Sequence, residues 1–417
     1  MGKLARGVAV VGAGVSRFGA FKEKTSRDLF VESFQDMVNS VDKGFDPGEI
    51  EALYLGNFSS DLFEGQGHTA PIMAEWAGII PAAATRLEDA CASGGVALRQ
   101  GILAVASGAY DLVLVGGVEK MNNLPTEKVT DTLAAASDTL YEASAGFTFP
   151  GLYAAIATAY MARYGITPEY FMRVGIKNHN NGKLNPKAQF QTTIRDLLEG
   201  RKAKLAAQGK PVPDWQDELD FLRDDSANPV VAWPMRLFDC SPITDGAACL
   251  LLVSEEMATR FTDRPVYIIG SGQASDYPLH TRSDLTSLGS ARLAARQAYE
   301  MAGVTPRDIK VAEVHDCFTV AEVVATEDLG FFAPGEGARA AAEGRTARSG
   351  DRPINTSGGL KAKGHPVGAS GVAQAVEVFL QLRGEAGARQ VPGANLGLTH
   401  NVGATGGTCT VHIYERR

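Results

Sequence analysis

The feature that most constrains the fold of this chain is an internal repeat. Val8 to Gly14 (VAVVGAG) returns 258 positions later as Val266 to Gly272 (VYIIGSG). Each is a β-branched run ending in Gly-x-Gly, and each precedes a helical apolar pattern, around Asp28–Val38 and Ala291–Met301. Asp46-Pro47 and Thr305-Pro306 then read as helix starts with proline near the first helical position. Strand-like runs follow at Ala52–Leu55 and Val311–Val314, and Ala92-Ser93-Gly94 matches Ala369-Ser370-Gly371, each opening a further helix. The last pair, Gly246–Val253 and Gly406–Ile413, lies only 160 positions apart. The first half therefore carries an insertion of roughly a hundred residues before its final strand.

That insertion shows in the composition. Between Glu119 and about Arg236 the chain turns polar and irregular, with NNGKLNPKAQFQ, RKAKLAAQGKPVPDWQDELD and SANPVVAWP. Long segments of this kind within a compact fold are usually functional covers or disordered loops. The expectation is an α/β protein of two similar halves, sheets layered between helices. Residues 1–118 plus 237–262 form one half, 263–417 the other, and 119–236 an inserted lid. A dinucleotide-binding turn at Gly12-Ala-Gly14 is excluded because the third glycine it needs is Arg17. The echo at Gly270 makes the Gly-x-Gly structural.

The first chemically suggestive stretch is Leu87 to Val118. Cys91 stands just before Ala92-Ser93-Gly94-Gly95, where a helix begins. Free backbone N–H groups and the helix dipole at such a position favour thiolate over thiol, the alternative being a buried cysteine at a tight helix start. In the second half, His315-Asp316-Cys317-Phe318 directly follows a strand, a position suited to a ligand-facing loop. Asn355 to Gly371 frames His365 with glycines before a helix, and a histidine near a cysteine commonly activates the thiol. Read alone, that loop serves equally as a phosphate-binding turn. Thr399 to Gly407 is glycine-rich, with amides able to stabilise an oxyanion.

Composition narrows the class of partner. A net charge of -8 without long basic runs argues against nucleic acid, and no apolar stretch approaches the length of a membrane span. Five widely spaced cysteines without CxxC, and seven histidines without HExxH-type spacing, argue for reduced thiols and no metal. Cys249 and Cys409 sit at matching repeat positions inside apolar strands and read as core. The closing Tyr-Glu-Arg-Arg lacks a Ser-Lys-Leu-type address, so the cytoplasm is the expected compartment.

Taken together, these motifs resemble the thiolase superfamily along essentially the whole chain. The resemblance includes Cys91, the GGxExM-like Gly116 to Met121, Asp239 to Ala248, the Gly364-His365-Pro366 motif and the closing glycine-rich loop. The commonest members carry Asn-Glu-Ala-Phe where this chain has His315 to Phe318. They also carry a catalytic cysteine where this chain has Asn401 in Asn401-Val402-Gly403. The combination looks like the sterol-carrier-protein type of thiolase. The resemblance implies a five-layer αβαβα fold of two similar halves with an inserted loop domain. It also implies an acyl-CoA C-acyltransferase that cleaves 3-oxoacyl-CoA with coenzyme A, or runs the reverse Claisen condensation. Cys91 would be the nucleophile, His365 its base and Cys317 the second acid/base. The amides of Cys91 and Gly403 would form one oxyanion site, His315 and His365 another, and Ser241 would contact coenzyme A. Coenzyme A would be a cosubstrate, with no permanently bound cofactor. The implied assembly is a homodimer or homotetramer. A thiolase-fold acyltransferase with a non-CoA acceptor and a small OB-fold partner, or a non-catalytic acyl-CoA-binding or lipid-binding scaffold, is the alternative.

Overall fold

The computed structural model describes residues 4–417. Eleven strands form in chain order: β1 Val8–Val15, β2 Ala52–Gly56, β3 Ala83–Leu87, β4 Leu112–Glu119, β5 Val230–Ala232 and β6 Met235–Arg236, then β7 Gly246–Ser254, β8 Val266–Ser275, β9 Val311–Glu313, β10 Leu396–Gly403 and β11 Thr408–Glu415. All but the β5–β6 hairpin join one ladder in the order β3-β2-β4-β7-β1-β8-β11-β10-β9. The repeat is visible in that order, since β4-β7-β1 is mirrored by β10-β11-β8. The halves meet where Val8–Val10 pairs antiparallel with Val266–Ile268, a contact of three residues on each strand.

Two equivalent helices, Ser93–Ala106 and Ser370–Arg383, pack on each other and on strands of both halves. Ser26–Asn39 covers the outer face of β1 and β7, and Gly289–Ala302 that of β8 and β11. The result is the αβαβα layering implied by the resemblance, with a central core shared by both halves and an outer core on each side. Ser26–Asn39 begins with a reciprocal cap between Thr25 and Asp28, which satisfies otherwise orphaned amides. The Gly-x-Gly pairs lie inside β1 and β8, not in turns. A Cβ on Gly14 would stand 2.1 Å from the Met37 nitrogen, and one on Gly272 2.0 Å from the Ala294 oxygen. These glycines let the outer helices press onto the strands.

Two sequence expectations need correction. Pro47 does open a helix, but a 3-10 helix of only three residues, Pro47–Glu49, capped by Asp46, whereas Pro306 lies in a turn and opens no helix. The segment after β4 is also far from irregular. It contains helices Thr126–Ala134, Phe149–Tyr164, Pro168–Gly182 and Ile194–Ala207. Its Leu152, Tyr153, Phe171 and Val174 join the outer core of the second half, and Trp215, Leu219 and Phe221 build a small core with Ile194 and Leu198. Those apolar residues sit at helical spacing within polar surroundings, so average composition hid them.

Candidate active site

The backbone around Cys91 is shaped before any side chain contributes. Ala90 has φ 50, a conformation uncommon for a residue with a Cβ, and Ala92 caps the helix Ser93–Ala106. Ser93 Oγ accepts from the Asp89 amide at 2.9 Å and donates to the Ala90 carbonyl at 2.6 Å, which clamps this tight entry. Cys91 is thereby held against the second half. Its carbonyl accepts from Asn401 Nδ2 at 2.9 Å, and Asn401 Oδ1 accepts from the Gly95 amide at 3.0 Å.

His365 is fixed on both sides of its ring. Its amide donates to Thr244 Oγ1 at 2.9 Å, and its Nδ1 lies 2.7 Å from Ser370 Oγ. Ser370 gives its single hydroxyl proton to the Pro366 carbonyl at 2.9 Å. It therefore accepts from His365 Nδ1–H, and His365 Nε2 is left as a bare acceptor. The His315 ring stands edge-on to His365 at 5.1 Å between centroids. Ligand atoms of Cys91, His315 and His365 lie within 4.8 Å of one another. His400 buttresses the group by accepting the His315 amide at 3.3 Å through Nδ1.

Cys317, Cys91 and His365 line one cavity of about 260 Å³, together with Ser241, Met121, Leu133, Phe149 and Leu237. Ser241 is tied to this wall because its amide donates to the Cys317 carbonyl at 2.9 Å. Helix Thr126–Ala134, the start of helix Phe149–Tyr164 and the β5–β6 hairpin all reach the cavity, so the inserted segment forms part of its wall. Phe58, Phe63, Met121 and Val367 pack in one cluster with Cys91. Among the basic residues of helix Ile194–Ala207, Lys202 donates to the Trp215 carbonyl at 2.7 Å, while Arg201 and Lys204 are exposed.

The electrostatics revise one expectation. The helix start does not leave Cys91 a thiolate; burial pushes its thiol up to about 12, despite hydrogen bonds from the Ala404 amide and its own. The Ala404 amide comes from the residue after Gly403, and Ala404 is held at φ 54. A Cβ on Gly403 would meet the Asp89 carbonyl at 2.7 Å, so glycine there permits close approach to the nucleophile loop. Burial lowers His365 to about 3 and holds His315 well below its ordinary value. Burial, with Cys91 close by, also raises Cys317 well above the usual thiol range. At rest the site holds neutral thiols and neutral imidazoles, and charge appears only as protons pass between them.

The site is assembled across the repeat, and sequence reading missed its struts. Glu119 is fully buried and accepts from the Phe58 and Gly368 amides at 2.9 Å each, and from the Ser59 amide and Asn57 Nδ2 at 3.1 Å each. It thus locks the loop after His365 onto the first half. Asp316 accepts from Asn178 Nδ2 at 2.7 Å and the Leu360 amide at 2.6 Å, joining the His315 loop, the His365 loop and the inserted segment. Tyr153 stacks on Phe318 at 4.5 Å and donates to the Ala404 carbonyl at 3.0 Å. Glu119 and Asp316 lie within motifs already noted, and buried carboxylates beside site glycines were the available signal. Nothing near Tyr153 in sequence marked it. Cys249 and Cys409 are buried in β7 and β11, as core residues.

Comparison with known proteins agrees with this architecture. The model of the thiolase N-terminal domain matches residues 8–256, and that of the thiolase C-terminal domain-like family residues 271–416. An acetyl-CoA acetyltransferase of Methanothermobacter thermautotrophicus is 45% identical over 414 residues, covering 99% of this chain and 100% of the relative. One from Methanocaldococcus jannaschii is 41% identical, with 98% of each covered. Human sterol carrier protein 2 is 31% identical, with 98% of this chain and 72% of the relative covered. Among solved structures, an Ltp2-ChsH2(DUF35) aldolase superposes with TM-score 0.79 at 24% identity, covering 99% of this chain and 98% of that one. Human mitochondrial 3-ketoacyl-CoA thiolase in complex with CoA gives 0.71 at 18%, covering 100% and 99%. With both domain families matched in order and relatives above 40% identity aligned from end to end, the chain belongs to the thiolase family.

Proposed function

We propose that this protein is an acetyl-CoA C-acetyltransferase, joining two acetyl-CoA into acetoacetyl-CoA or cleaving the latter with coenzyme A. The observation that carries the reading is the meeting of Cys91, His365, His315 and Cys317 in and around one cavity. In the cleavage direction, His365 Nε2 takes the Cys91 proton and the thiolate attacks the 3-oxo carbonyl carbon. The oxyanion is held by the Cys91 and Gly403 amides, with Ala404 beside them. As the C2–C3 bond breaks, the acyl group stays on sulfur, and the acetyl-CoA enolate, held by His315, takes the Cys317 proton. A second coenzyme A gives its thiol proton to Cys317 and attacks the acyl group, and the Cys91 thiolate leaves to regain the proton from His365. Each acid or base returns to its starting state. Phe58, Phe63 and Met121 beside Cys91 favour a short acyl group.

In this reading residues 119–236 are the loop domain, residues 1–118 with 237–262 and 263–417 the two thiolase halves, and Ser241 meets the pantetheine arm. The sheet ends at β3 with an unpaired backbone edge, near Trp76 at 51% and Ile80 at 61% exposure. Such an edge invites pairing, which favours a homodimer, or a dimer of dimers, formed through it. A small OB-fold partner would mark the acceptor variant of the reaction. No helix among the described residues is long and apolar enough to cross a membrane, and the cytoplasm is the proposed compartment. The test incubates the protein with 3-oxoacyl-CoAs of increasing length plus coenzyme A, and separately with acetyl-CoA, followed by peptide mass spectrometry. Loss of acetoacetyl-CoA and an acetyl group on Cys91 are expected. Turnover without acylation of Cys91, or acetylation only at Cys317, removes the mechanism.

A further inference from the structure

Asn401 stands where the commonest thiolases place an acid/base cysteine, and its amide cannot shuttle protons at neutral pH. Its hydrogen bonds define a different task. The Gly95 N–H can only donate, so the Asn401 atom 3.0 Å away is the oxygen, and the nitrogen is the other branch. That nitrogen has two protons. One goes to the Cys91 carbonyl at 2.9 Å, and the other points at His315 Nδ1, 3.1 Å away. His315 Nδ1 must therefore accept. In a neutral imidazole the ring proton then sits on Nε2, a buried atom with no protein partner, in the cluster with Cys91 and His365.

We propose that Asn401 is a positioning residue that holds His315 as its neutral, Nε2-protonated tautomer, a fixed hydrogen-bond donor for the thioester oxygen during enolate formation. The two site histidines then have opposite tautomers imposed by different neighbours. Ser370 makes His365 Nε2 a bare acceptor, suited to taking the Cys91 proton, and Asn401 makes His315 Nε2 a donor, suited to an enolate oxygen. This division of labour rests on the thiolase reading; the tautomers themselves do not. The same arrangement speaks against zinc at Cys91, His315 and His365. The donor types are right, but a proton on His315 Nε2 occupies the lone pair a metal would need, and Asn401 blocks its transfer to Nδ1.

The test reads ring protonation directly. In 15N-histidine-labelled wild-type protein, assigned through His315→Gln and His365→Gln, His315 is expected to show a protonated Nε2 and bare Nδ1, and His365 the reverse. In Asn401→Asp, an acceptor replaces the amide donor, and His315 should move its proton to Nδ1 or carry two. Where the proton leaves Nε2, condensation should fall about 100- to 1000-fold, the loss typical of one oxyanion donor. A wild-type His315 protonated on Nδ1, or an unchanged His315 tautomer in Asn401→Asp, overturns the proposal. The wild-type spectrum decides even if the variant does not fold. The stated tautomers in a protein that turns over no acyl-CoA would uphold the Asn401 assignment and sink the thiolase reading instead.

Discussion

Replacing Gly368 by alanine separates catalytic geometry from stability. Gly368 follows His365 by three residues, and its amide donates to Glu119. A Cβ there would stand 2.6 Å from Asn57 Cα, 2.8 Å from the Gly56 carbonyl and 2.9 Å from Glu119 Oε2. Two of these neighbours are backbone and the third is held by four donors, so none can swing aside. Ordinary contact begins near 3.4 Å, and the His365 loop must therefore retreat by about 0.8 Å. Overpacking of this kind typically costs about 1–3 kcal/mol. With an unfolding entropy of about 2.1 cal/mol/K per residue, a chain of 417 residues changes by about 0.9 kcal/mol per degree, so Tm falls by only ~1–3 °C. Displacing a catalytic group by about 1 Å costs near 100-fold in rate. The expected outcome is near-normal melting with kcat for acetoacetyl-CoA cleavage reduced about 100-fold. Gly200→Ala serves as the control: it lies in helix Ile194–Ala207 with nothing within 4 Å of the new Cβ, and it should melt slightly higher and turn over normally. Full activity in Gly368→Ala would refute the claim that this contact sets the position of His365.

Cys317→Ala should still accept acetyl from acetyl-CoA onto Cys91, yet exchange of the acetyl-CoA methyl protons with deuterated solvent and overall condensation should fall about 100- to 10,000-fold; retained exchange would make a histidine the base. Coenzyme A should raise amide protection in helix Thr126–Ala134 and the β5–β6 hairpin, which reach the cavity, while the packed helix Pro168–Gly182 stays unchanged; no change at the first two would remove them from the ligand site. Stability should fall on acidification from about pH 7 to about 5.5. Five histidines (179, 315, 365, 400 and 412) have lowered values in the fold, so stability they contribute above about pH 6.5 is lost as pH drops. Carboxyls raised by burial, among them Glu119, Asp316 and Asp328 at about 7, act in the opposite sense, and the fall is expected because all five imidazoles must take up a proton within this window. A denaturation midpoint that rises on acidification would show that those histidines are not buried neutral. Glu119→Gln should steepen the fall.

The repeat made the layered fold legible, because β-branched runs and their following helices recur in the same order and nearly the same register. The residues that meet at the cavity also stood out in the sequence, Cys91 and His365 beside glycines ahead of a helix, His315 and Cys317 just past a strand. What escaped was whatever depends on distance in space. The inserted segment read as irregular because its Tyr153, Phe171 and Val174 bury against the other half, a partner that local averaging does not contain. The helix-start argument for a Cys91 thiolate failed because a local rule cannot register how deeply Pro366-flanked loops and the inserted segment bury that sulfur. Asn401 was legible as a missing cysteine, but its work as a strut needs Gly95 and His315, 306 and 86 residues away.

The crossed struts have a consequence for ancestry. Glu119, the last residue of β4, holds a loop of the second half, and Asn401 of the second half holds the nucleophile of the first. Neither repeat unit therefore contains a working centre; each carries the brace for chemistry borne by the other. Had the chain arisen by duplication of one gene, the ancestor would have needed two copies side by side before it could catalyse anything. Fusion then freed the two copies to diverge, so that one kept the nucleophile and the other the acid and the base, each with a brace for the other's chemistry. Cut between Phe261 and Val266 and expressed as two pieces, the protein should regain activity only when both are present.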